Sequence, residues 1–345
     1  MKLGIIGLPG AGKSTLFETL TKLTSDATSR KPEDRLGTIR VPDGRVERLS
    51  AMYNPKKTIF AQVEYLLPYI PVQQPGLKKD ETVWSVVRTC DALIHVVRNF
   101  RGFGEEPATP LEDFARINEE MIFADLLVVE KRLERLELDR RRGRKTDQEE
   151  LRLLEECRLL LEQETPLRRA PDLAGAQQLK GFTFLSGKPM LLLFNNEDEN
   201  EQVPDAGEML AAEKCIAIRG RLEHELTQMD EEEAKEYQKE FHISSSAMDL
   251  MISLSYELLG LVSFFTVGPD EVRAWTIKNK TVAVDAAEVI HSDIKKGFIR
   301  AEVVAYDDLM AAGSYKDARQ QGTVRLEGKT YVVQDGDIIE FRFNV

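Results

Sequence analysis

Cysteine and histidine are scarce in this sequence. Its 345 residues include three cysteines and four histidines, and neither type has the spacing of a metal site or a disulfide framework. Cys90, Cys157 and Cys215 lie in apolar or helical surroundings, so we expect them to be core thiols. His95 lies in the apolar run at residues 92–97, where we expect a buried histidine with satisfied hydrogen bonds.

Long apolar runs are missing as well. No run approaches the roughly 18 residues that span a bilayer, and Met1 leads directly into an apolar segment, so we expect no signal peptide, no membrane contact and a cytosolic protein. The hydrophobic fraction of 42% and the charged fraction of 31% are typical of globular domains with a full core. The formal net charge of −12 argues against broad coating of nucleic acid, although a local basic patch is compatible with RNA binding.

The first twenty residues contain a phosphate-binding pattern. Residues 7–14, with the sequence GLPGAGKS, match GxxxxGK[ST]. They follow the apolar run at residues 3–6, which predicts a buried strand, and precede a segment from Thr15 that predicts a helix. Chance alone gives this pattern in about one chain in a hundred of this length, and the correct flanks lower that frequency. The pattern therefore predicts a functional phosphate loop.

The residue types of this loop suit a nucleoside triphosphate. Glycines let backbone N–H groups turn toward phosphate oxygens, and the N-terminus of the helix adds partial positive charge. Lys13 is expected to reach the β- and γ-phosphates and to act in catalysis, and the Ser14 hydroxyl is expected to bind Mg²⁺. The predicted cofactor is Mg²⁺ with ATP or GTP. The residues expected to bind it here are Gly7, Pro9, Gly10, Ala11, Gly12, Lys13, Ser14 and Thr15.

A second metal ligand is predicted at Thr38. The polar stretch at residues 25–42 follows the phosphate loop, and residues 35–43 are expected to form a loop beside the nucleotide. A hydroxyl there suits a mobile switch segment, while an ordinary threonine at a strand edge is equally compatible with the sequence.

Strands alternate with helices through the first part of the chain. Apolar runs at residues 59–67, 92–97, 188–194 and 215–218 predict strands, and residues 83–89 predict a short helix. This order predicts a doubly wound α/β domain whose ligand lies at the carboxyl ends of the strands. Polar loops that begin with Asn195 and with Arg219-Gly220-Arg221 follow two of these strands.

An inserted helical arm is predicted next. Apolar residues recur at alternating spacings of four and three, and a second helix with one apolar face follows a basic interruption at residues 140–145. The apolar positions are Ile122, Leu126, Val129, Leu133 and Leu136, and then Leu153, Cys157 and Leu160. The pattern predicts an antiparallel coiled-coil arm with a basic tip. A solvated hairpin tip and an RNA-contacting tip account for the arginines equally well.

From about residue 263 the sequence becomes rich in strand and turn signals. Residues 281–284, 297–304, 331–333 and 338–343 predict strands of a small mixed domain. The predicted division is therefore a P-loop nucleotide-binding domain at residues 1–109 and 182–262, the arm at residues 110–181 and a C-terminal domain at residues 263–345.

The chain resembles the Obg-like ATPase family, the YchF branch of the translation-factor P-loop GTPases. The segments that carry the resemblance most specifically are residues 264–276, 297–303, 306–309 and 333–345. In that family the C-terminal part is a TGS domain, a β-grasp module. The resemblance implies ATP binding, slow hydrolysis and association with the ribosome or RNA through the TGS domain and the arm, and we expect a monomer.

Two departures from the family pattern bear on function. The family's second switch begins Asp-Ile-Ala-Gly, where this chain has Leu67-Pro68-Tyr69-Ile70 followed by a proline-rich stretch. The family's purine-binding loop is Asn-x-x-Glu and that of guanine-specific relatives is Asn-Lys-x-Asp, where this chain has Asn195-Asn196-Glu197-Asp198. We expect slower hydrolysis than in the family, and GTP binding at least comparable with ATP binding.

Base recognition is assigned to Asn195, Asp198 and Gly220. The Asp198 carboxylate can accept two hydrogen bonds from guanine, and the Gly220 N–H can donate to its carbonyl; alternatively, Asp198 merely caps the turn after the strand.

Three functional hypotheses remain open from the sequence. The first is a slow Mg²⁺-dependent nucleoside triphosphatase, and the second is a nucleotide-binding module that docks on RNA or the ribosome without hydrolysis. The third is a regulatory partner in which the nucleotide is only structural.

Overall fold

The structure is a computed structural model that describes residues 1–22, 33–69, 79–102, 106–241 and 246–344. The chain divides into two compact units. The first combines the N-terminal residues to Gly37 with Glu64–Met251, and the second combines Thr38–Val63 with the C-terminal part from Ile252. Within the described ranges, no helix has the length and apolar character that crossing a membrane requires.

The secondary structure follows the alternation expected from the sequence. The strands are β1 (Lys2–Ile6), β2 (Arg35–Arg40), β3 (Lys57–Ile59), β4 (Gln62–Leu67), β5 (Ala92–Asn99), β6 (Met190–Asn196), β7 (Lys214–Ile218), β8 (Leu261–Val267), β9 (Glu271–Lys278), β10 (Phe298–Ala305), β11 (Arg325–Glu327) and β12 (Asp337–Phe343). The helices are α1 (Lys13–Thr21), α2 (Gly44–Tyr53), α3 (Lys79–Val87), α4 (Pro110–Arg141), α5 (Gln148–Glu162), α6 (Pro171–Ala174), α7 (Gly220–Leu226), α8 (Glu231–Glu240), α9 (Ala247–Leu258), α10 (Ala283–Ile290), α11 (Ser292–Lys296), α12 (Tyr306–Ala312) and α13 (Tyr315–Gln320). Short 3₁₀ helices lie at Leu167–Arg169, Gln177–Phe182 and Gly207–Met209.

The first sheet has the order β2-β4-β1-β5-β6-β7. Strand β1 pairs in parallel with β4 on one side and with β5 on the other, and β5, β6 and β7 continue in parallel. Every residue of β6 is buried, as expected for a parallel strand covered on both faces. The strand order reverses at β1, so the phosphate loop leaves the sheet at the topological switch point where α/β domains bind ligands. The predicted doubly wound P-loop fold is confirmed.

The predicted arm is the hairpin of α4 and α5. Ile122, Val129 and Leu136 of α4 are buried in one apolar cluster with Leu154 and Cys157 of α5. The turn between the helices ends at Asp147, whose carboxylate accepts hydrogen bonds from the N–H groups of residues 149 and 150 and so caps α5. The seam of alternating spacings therefore packs as the sequence predicts.

The second sheet is mixed, with the order β11-β10-β12-β8-β9-β3. Phe264, Ile277, Val303 and Ile339 contribute to its apolar core together with alanines of α10. Two strand predictions in this unit are wrong. Helix α10 begins at Ala283, within the predicted strand at residues 281–284, and residues 331–333 form only an isolated bridge between Val332 and Val282. Val282 is extended but serves as the cap residue before the helix.

The single strand predicted at residues 59–67 is also wrong, because the chain changes sheets there. Strand β3 pairs with β9 in the second sheet, whereas β4 pairs with β1 in the first. Between them the Ala61 carbonyl accepts a hydrogen bond from the Val41 N–H at 2.8 Å. Residues 38–63 accordingly group with the C-terminal unit, and the Arg45 guanidinium lies 2.7 Å from the Asp335 carboxylate within that unit. The three-part division predicted from the sequence, with bounds at residues 109, 181 and 262, remains a prediction.

Candidate functional site

The phosphate loop has the backbone conformation that its glycines allow. Gly7, Gly10 and Gly12 have φ angles of 142°, 80° and 94°, a region that side-chain-bearing residues rarely adopt. A Cβ on Gly7 would lie 2.2 Å from the Val96 carbonyl oxygen, and one on Gly12 would lie 2.3 Å from Asn195 Nδ2. The loop is therefore pressed against β5 on one side and the end of β6 on the other.

Lys13 is the first residue of α1, and its side chain turns back over the loop. Its Nζ donates hydrogen bonds to the Gly7 carbonyl at 2.9 Å and to the Leu8 carbonyl at 2.7 Å. No ion pair joins it to a carboxylate of the described chain, and burial lowers the pKa of its ammonium group to about 8. A half-desolvated cation without a carboxylate partner favours an anionic ligand.

Asn195 ties the loop to the neighbouring strand end. Its Nδ2 donates to the Ala11 carbonyl at 3.1 Å, and its Oδ1 accepts from the Gly220 N–H at 3.0 Å. Asn195 is 7% exposed, and a Cβ on Gly220 would lie 2.5 Å from Asn195 Oδ1. Two of the three predicted base-recognition residues, Asn195 and Gly220, thus contact each other, and the Gly220 N–H is engaged within the protein.

A cavity of about 1220 Å³ opens over the loop and the carboxyl ends of β1, β5 and β6. Eight of the predicted site residues line it, namely Pro9, Gly10, Gly12, Lys13, Ser14, Thr15, Asn195 and Asp198. Ala11 and Gly220 are buried behind this lining, and Gly7 lies under the loop against β5. The structure therefore brings the phosphate loop and the predicted base-binding loop to one concave surface.

The third wall of this cavity follows β5 and was not predicted from the sequence. Arg98, Phe100 and Arg101 line it from that strand's end, and the Arg101 N–H donates to Glu197 Oε1 at 2.9 Å across to the β6 loop. Asn99 Nδ2 donates to Asn196 Oδ1 at 2.8 Å and joins the two strand ends. The strand at residues 92–97 was predicted, so the rule that ligands lie at the carboxyl ends of parallel strands was the signal that could have identified these residues.

Asp198 forms an ion pair with Arg221, the second residue of α7. The Asp198 side chain is 10% exposed and that of Arg221 is 75% exposed. Arg219 supports the same loop, because its guanidinium contacts the Asp198 carbonyl at 3.4 Å and the Glu201 carboxylate at 2.9 Å. The predicted guanine-binding carboxylate is therefore already engaged by an arginine of the chain.

The predicted second switch begins at the end of β4, where Leu67 is 7% exposed. Two residues later, the Tyr69 N–H donates to Asp34 Oδ1 at 2.9 Å. Asp34, 35 residues earlier in the chain, therefore contacts the backbone two residues after Leu67, a contact that neighbouring sequence does not reveal. The remainder of this switch, from Ile70 through the proline-rich stretch, lies outside the described residues.

Thr38 lies within β2 and is exposed. The expectation of a loop at residues 35–43 is wrong for residues 35–40, because this segment is a strand of the first sheet. The place of Thr38 matches the strand-edge alternative, and its role as a metal ligand remains a prediction. The preceding polar residues 23–32 lie outside the described part of the chain.

His95 is fully buried on β5, as expected, but its hydrogen bonds are not satisfied. Neither ring nitrogen has a hydrogen-bond partner among the described residues, and the ring lies 5.9 Å from that of Phe114. Burial, followed by the nearby charges of Arg168 and Lys13, lowers the pKa of His95 to about 3. It is therefore neutral near pH 7 and supplies no charge to the phosphate loop.

The cysteines match their expected role as core thiols in two cases. Cys90 and Cys157 are buried, Cys215 is partly buried, and all three are free. Burial raises the pKa of Cys157 to about 12 and that of Cys215 to about 11. These thiols are therefore protonated and unreactive near neutral pH.

The basic tip of the arm is largely paired with its own helix. Arg140 and Arg141 lie 2.9 Å and 3.0 Å from the Glu137 carboxylate, and Arg144 lies 2.9 Å from that of Asp139. Arg142 and Lys145 are exposed, and no ion pair involves them within the described chain. The solvated tip and the RNA-contacting tip therefore both remain compatible with the structure. The basic side chains available to an RNA are Arg142 and Lys145.

The comparison with known proteins supports the resemblance over the full length. The chain is 38% identical to the ribosome-binding ATPase YchF of Bacillus subtilis strain 168 over 99% of both chains. It is 36% identical to the protein of the same name from Haemophilus influenzae, covering 100% of this chain and 99% of the relative. The chain belongs to the YchF family. A family model named YchF-GTPase C-terminal domain, described as a protein of unknown function (DUF933), matches residues 261–344.

Solved structures agree with this family assignment. The fold superposes on the YchF GTPase of Schizosaccharomyces pombe with a TM-score of 0.84 at 29% identity, covering 99% of this chain and 97% of that one. A GTP-binding protein from Pyrococcus horikoshii OT3 covers all of both chains with a TM-score of 0.59 at 17% identity, which supports the fold alone. The names of these YchF relatives include both an ATPase and a GTPase, so they do not decide between ATP and GTP as the nucleotide.

Proposed function

We propose that this member of the YchF family binds a purine nucleoside triphosphate with Mg²⁺ at the phosphate loop and hydrolyses it slowly. The observation that carries the proposal is the Lys13 ammonium, which is half-desolvated and contacts two carbonyls of the loop at the N-terminus of α1. Family membership over the full length supports the same activity, since the bacterial relatives are named ATPases.

The residues present fit a triphosphate. Gly7 and Gly12 leave no room for a side chain beneath the loop, so backbone N–H groups rather than side chains would face the phosphate oxygens. Lys13 would exchange its two carbonyl contacts for phosphate oxygens and stabilise the charge on the transferring group. Phe100 lines the same cavity and offers an aromatic surface for a base.

The residue proposed to hold Mg²⁺ is Ser14, which is exposed at the start of α1 and lines the cavity. When bound, the metal would neutralise charge on the phosphate oxygens. Ser14 would orient the metal through its hydroxyl. Thr38 remains the second proposed ligand from the sequence.

The second candidate function is nucleotide binding without hydrolysis. It is favoured by Leu67, a buried apolar side chain at the position where the family has the second-switch aspartate. A leucine cannot accept a hydrogen bond from metal-bound water, so the arrangement removes a group that supports turnover in the family. Both candidate functions include nucleotide binding, so the rate of hydrolysis distinguishes them.

The partner that we propose is the ribosome, contacted through the C-terminal unit and the arm. The support is the name of the bacterial relatives, which are 36–38% identical over nearly the whole chain. We also propose a cytoplasmic location and a monomeric state, as expected from the sequence.

Titration of the purified protein with ATP and with GTP, each with and without Mg²⁺, tests the proposal directly. We expect saturable binding of at least one nucleotide, tighter with Mg²⁺, followed by slow phosphate release from the same sample. Absence of binding of both nucleotides would overturn the nucleotide proposal. Binding without any phosphate release would favour the second candidate.

A further inference from the structure

The ion pair between Asp198 and Arg221 lies at the edge of the nucleotide cavity. Both residues line it, Asp198 from the loop after β6 and Arg221 from the start of α7. The loop is fixed beneath the pair, because Asn195 accepts the Gly220 N–H and Arg219 contacts the Asp198 carbonyl. The carboxylate is therefore held in place, while the exposed arginine is the part of the pair that can move.

Arg221 is held in this position by few contacts. Apart from Asp198, its carboxylate contact within the described chain is Glu225, one turn along α7 at 3.9 Å. Solvent screens this attraction, because three quarters of the Arg221 side chain is exposed although that of Asp198 is only 10% exposed, so the pair is weak. A ligand that also needs the Asp198 carboxylate can therefore compete with Arg221.

Only one of the two common purines needs that carboxylate. Guanine presents a ring N–H and an exocyclic amine side by side, which together match the two oxygens of a carboxylate, whereas adenine has no such pair of donors on that edge. The Arg221 contact is to Asp198 Oδ2, so it occupies one of the two oxygens that guanine would use.

We propose that Arg221 determines the purine preference of this site by competing with guanine for Asp198. This inference rests on the proposed nucleotide-binding function and adds a specificity-determining residue to it. With Arg221 in place, guanine binding requires the ion pair to break, while adenine binding leaves it intact. Arg221 therefore shifts the balance toward ATP, and its removal shifts the balance toward GTP.

The test measures the affinities for ATP and GTP by calorimetry in the wild type, four variants of the ion pair and one control variant. We expect Arg221→Ala to raise the ratio of GTP affinity to ATP affinity by up to about fivefold, the equivalent of about 1 kcal/mol for an ion pair that solvent screens on the arginine side. Arg221→Lys keeps the charge and should stay near the wild-type ratio. Asp198→Asn should lower GTP affinity, and Arg221→Ala should leave the ratio unchanged in the Asp198→Asn background.

Arg152→Ala is the matched control, because Arg152 is an exposed arginine of α5 that also pairs with two carboxylates. It changes the net charge equally and should leave both affinities unchanged. If Arg221→Ala weakens both nucleotides alike, Arg221 contacts phosphate or stacks on the base, and the inference is overturned. An unchanged ratio overturns it as well.

Two further outcomes distinguish failure of the Arg221 inference from failure of the proposed nucleotide binding. If the wild type binds neither nucleotide, the proposed function itself fails, and the inference fails with it. If Asp198→Asn does not fold, as judged by its thermal transition, the comparison of Arg221→Ala with Arg221→Lys still decides. Equal ratios in those two variants would contradict the competition.

Discussion

The ammonium group of Lys13 has two carbonyl oxygens of its own loop as hydrogen-bond partners. Neutral carbonyls compensate a buried cation less fully than a carboxylate does, which is why burial can lower its pKa to about 8. Phosphate oxygens at the same place would restore the lost compensation. Part of the binding free energy at Lys13 therefore arises because the phosphate replaces the weak compensation of a buried ammonium group in the free protein.

Replacing Lys13 by alanine should weaken triphosphate binding severely. A charge-assisted hydrogen bond contributes about 1.5–3 kcal/mol, which corresponds to a loss of roughly 10- to 150-fold in affinity. Calorimetric titration with both nucleotides measures this loss. Lys131→Ala, on an exposed position of α4, is the control for loss of one positive charge. Unchanged affinity in a folded Lys13→Ala protein would count decisively against the site.

The lowered pKa of Lys13 also predicts a pH dependence of binding. The free protein carries the charged ammonium below pH 8 and loses it above, while bound phosphates favour the charged form and raise its pKa. Affinity should therefore fall as the pH rises through about 8, and binding at pH 8.5 should take up a proton.

Calorimetry in buffers of different ionisation enthalpy measures that uptake. Lys13→Arg supplies the control, because arginine stays charged throughout this range and should show no uptake. Equal proton uptake by the wild type and Lys13→Arg would assign the titration to another group.

At the scale of elements, local patterns were enough to predict the phosphate loop, the buried parallel strands and the arm. The loop at residues 7–14 and the seam from Ile122 to Leu136 each depend on residues close together in sequence, so periodicity and spacing reveal them. The break between β3 and β4 was not predictable in this way. Residues 59–67 form one apolar run, and only pairing with β9 and β1 divides it between two sheets.

The site shows the same limit. Asp34 meets Tyr69 across 35 residues, and Arg221 meets Asp198 across 23. Both contacts depend on how strand ends and loops converge in the folded chain, which neither composition nor spacing specifies. The family resemblance revealed that the second switch and the purine loop depart from the pattern, but the groups that now contact them became visible only in three dimensions.

The second switch predicts slow turnover. Leu67 is buried at the end of β4, and the next residue, Pro68, has no N–H to offer a phosphate. We expect steady-state hydrolysis below about 1 s⁻¹, the lower end of typical enzymes. Leu67→Asp alone should recover little, because the other switch residues also differ from the family.

A phosphate-release assay measures both rates, with Leu67→Asn as an uncharged control of similar shape to aspartate. A wild-type rate at or above about 1 s⁻¹ would refute the expectation. A return to such a rate in Leu67→Asp would show that the missing carboxylate was the only defect.

At the scale of the whole molecule, the net charge of −12 restricts how the chain can approach a ribosome or RNA. Long-range attraction to phosphates must come from local basic groups, because the overall field is repulsive. At the arm tip three of the four arginines form ion pairs with Glu137 and Asp139. Arg142 and Lys145 are exposed and stand outside the ion pairs of the described chain.

This difference predicts which tip residues matter if the arm contacts ribosomal RNA. Co-sedimentation with ribosomes should weaken as salt rises, and the Arg142→Ala/Lys145→Ala double variant should reduce both the binding and its salt dependence. Arg140→Ala/Arg141→Ala removes the same charge from arginines that already pair with Glu137, so it should have the smaller effect. Equal effects of the two double variants would mean that net charge alone acts. No effect of either would place the contact elsewhere, and absence of co-sedimentation at low salt would refute ribosome binding itself.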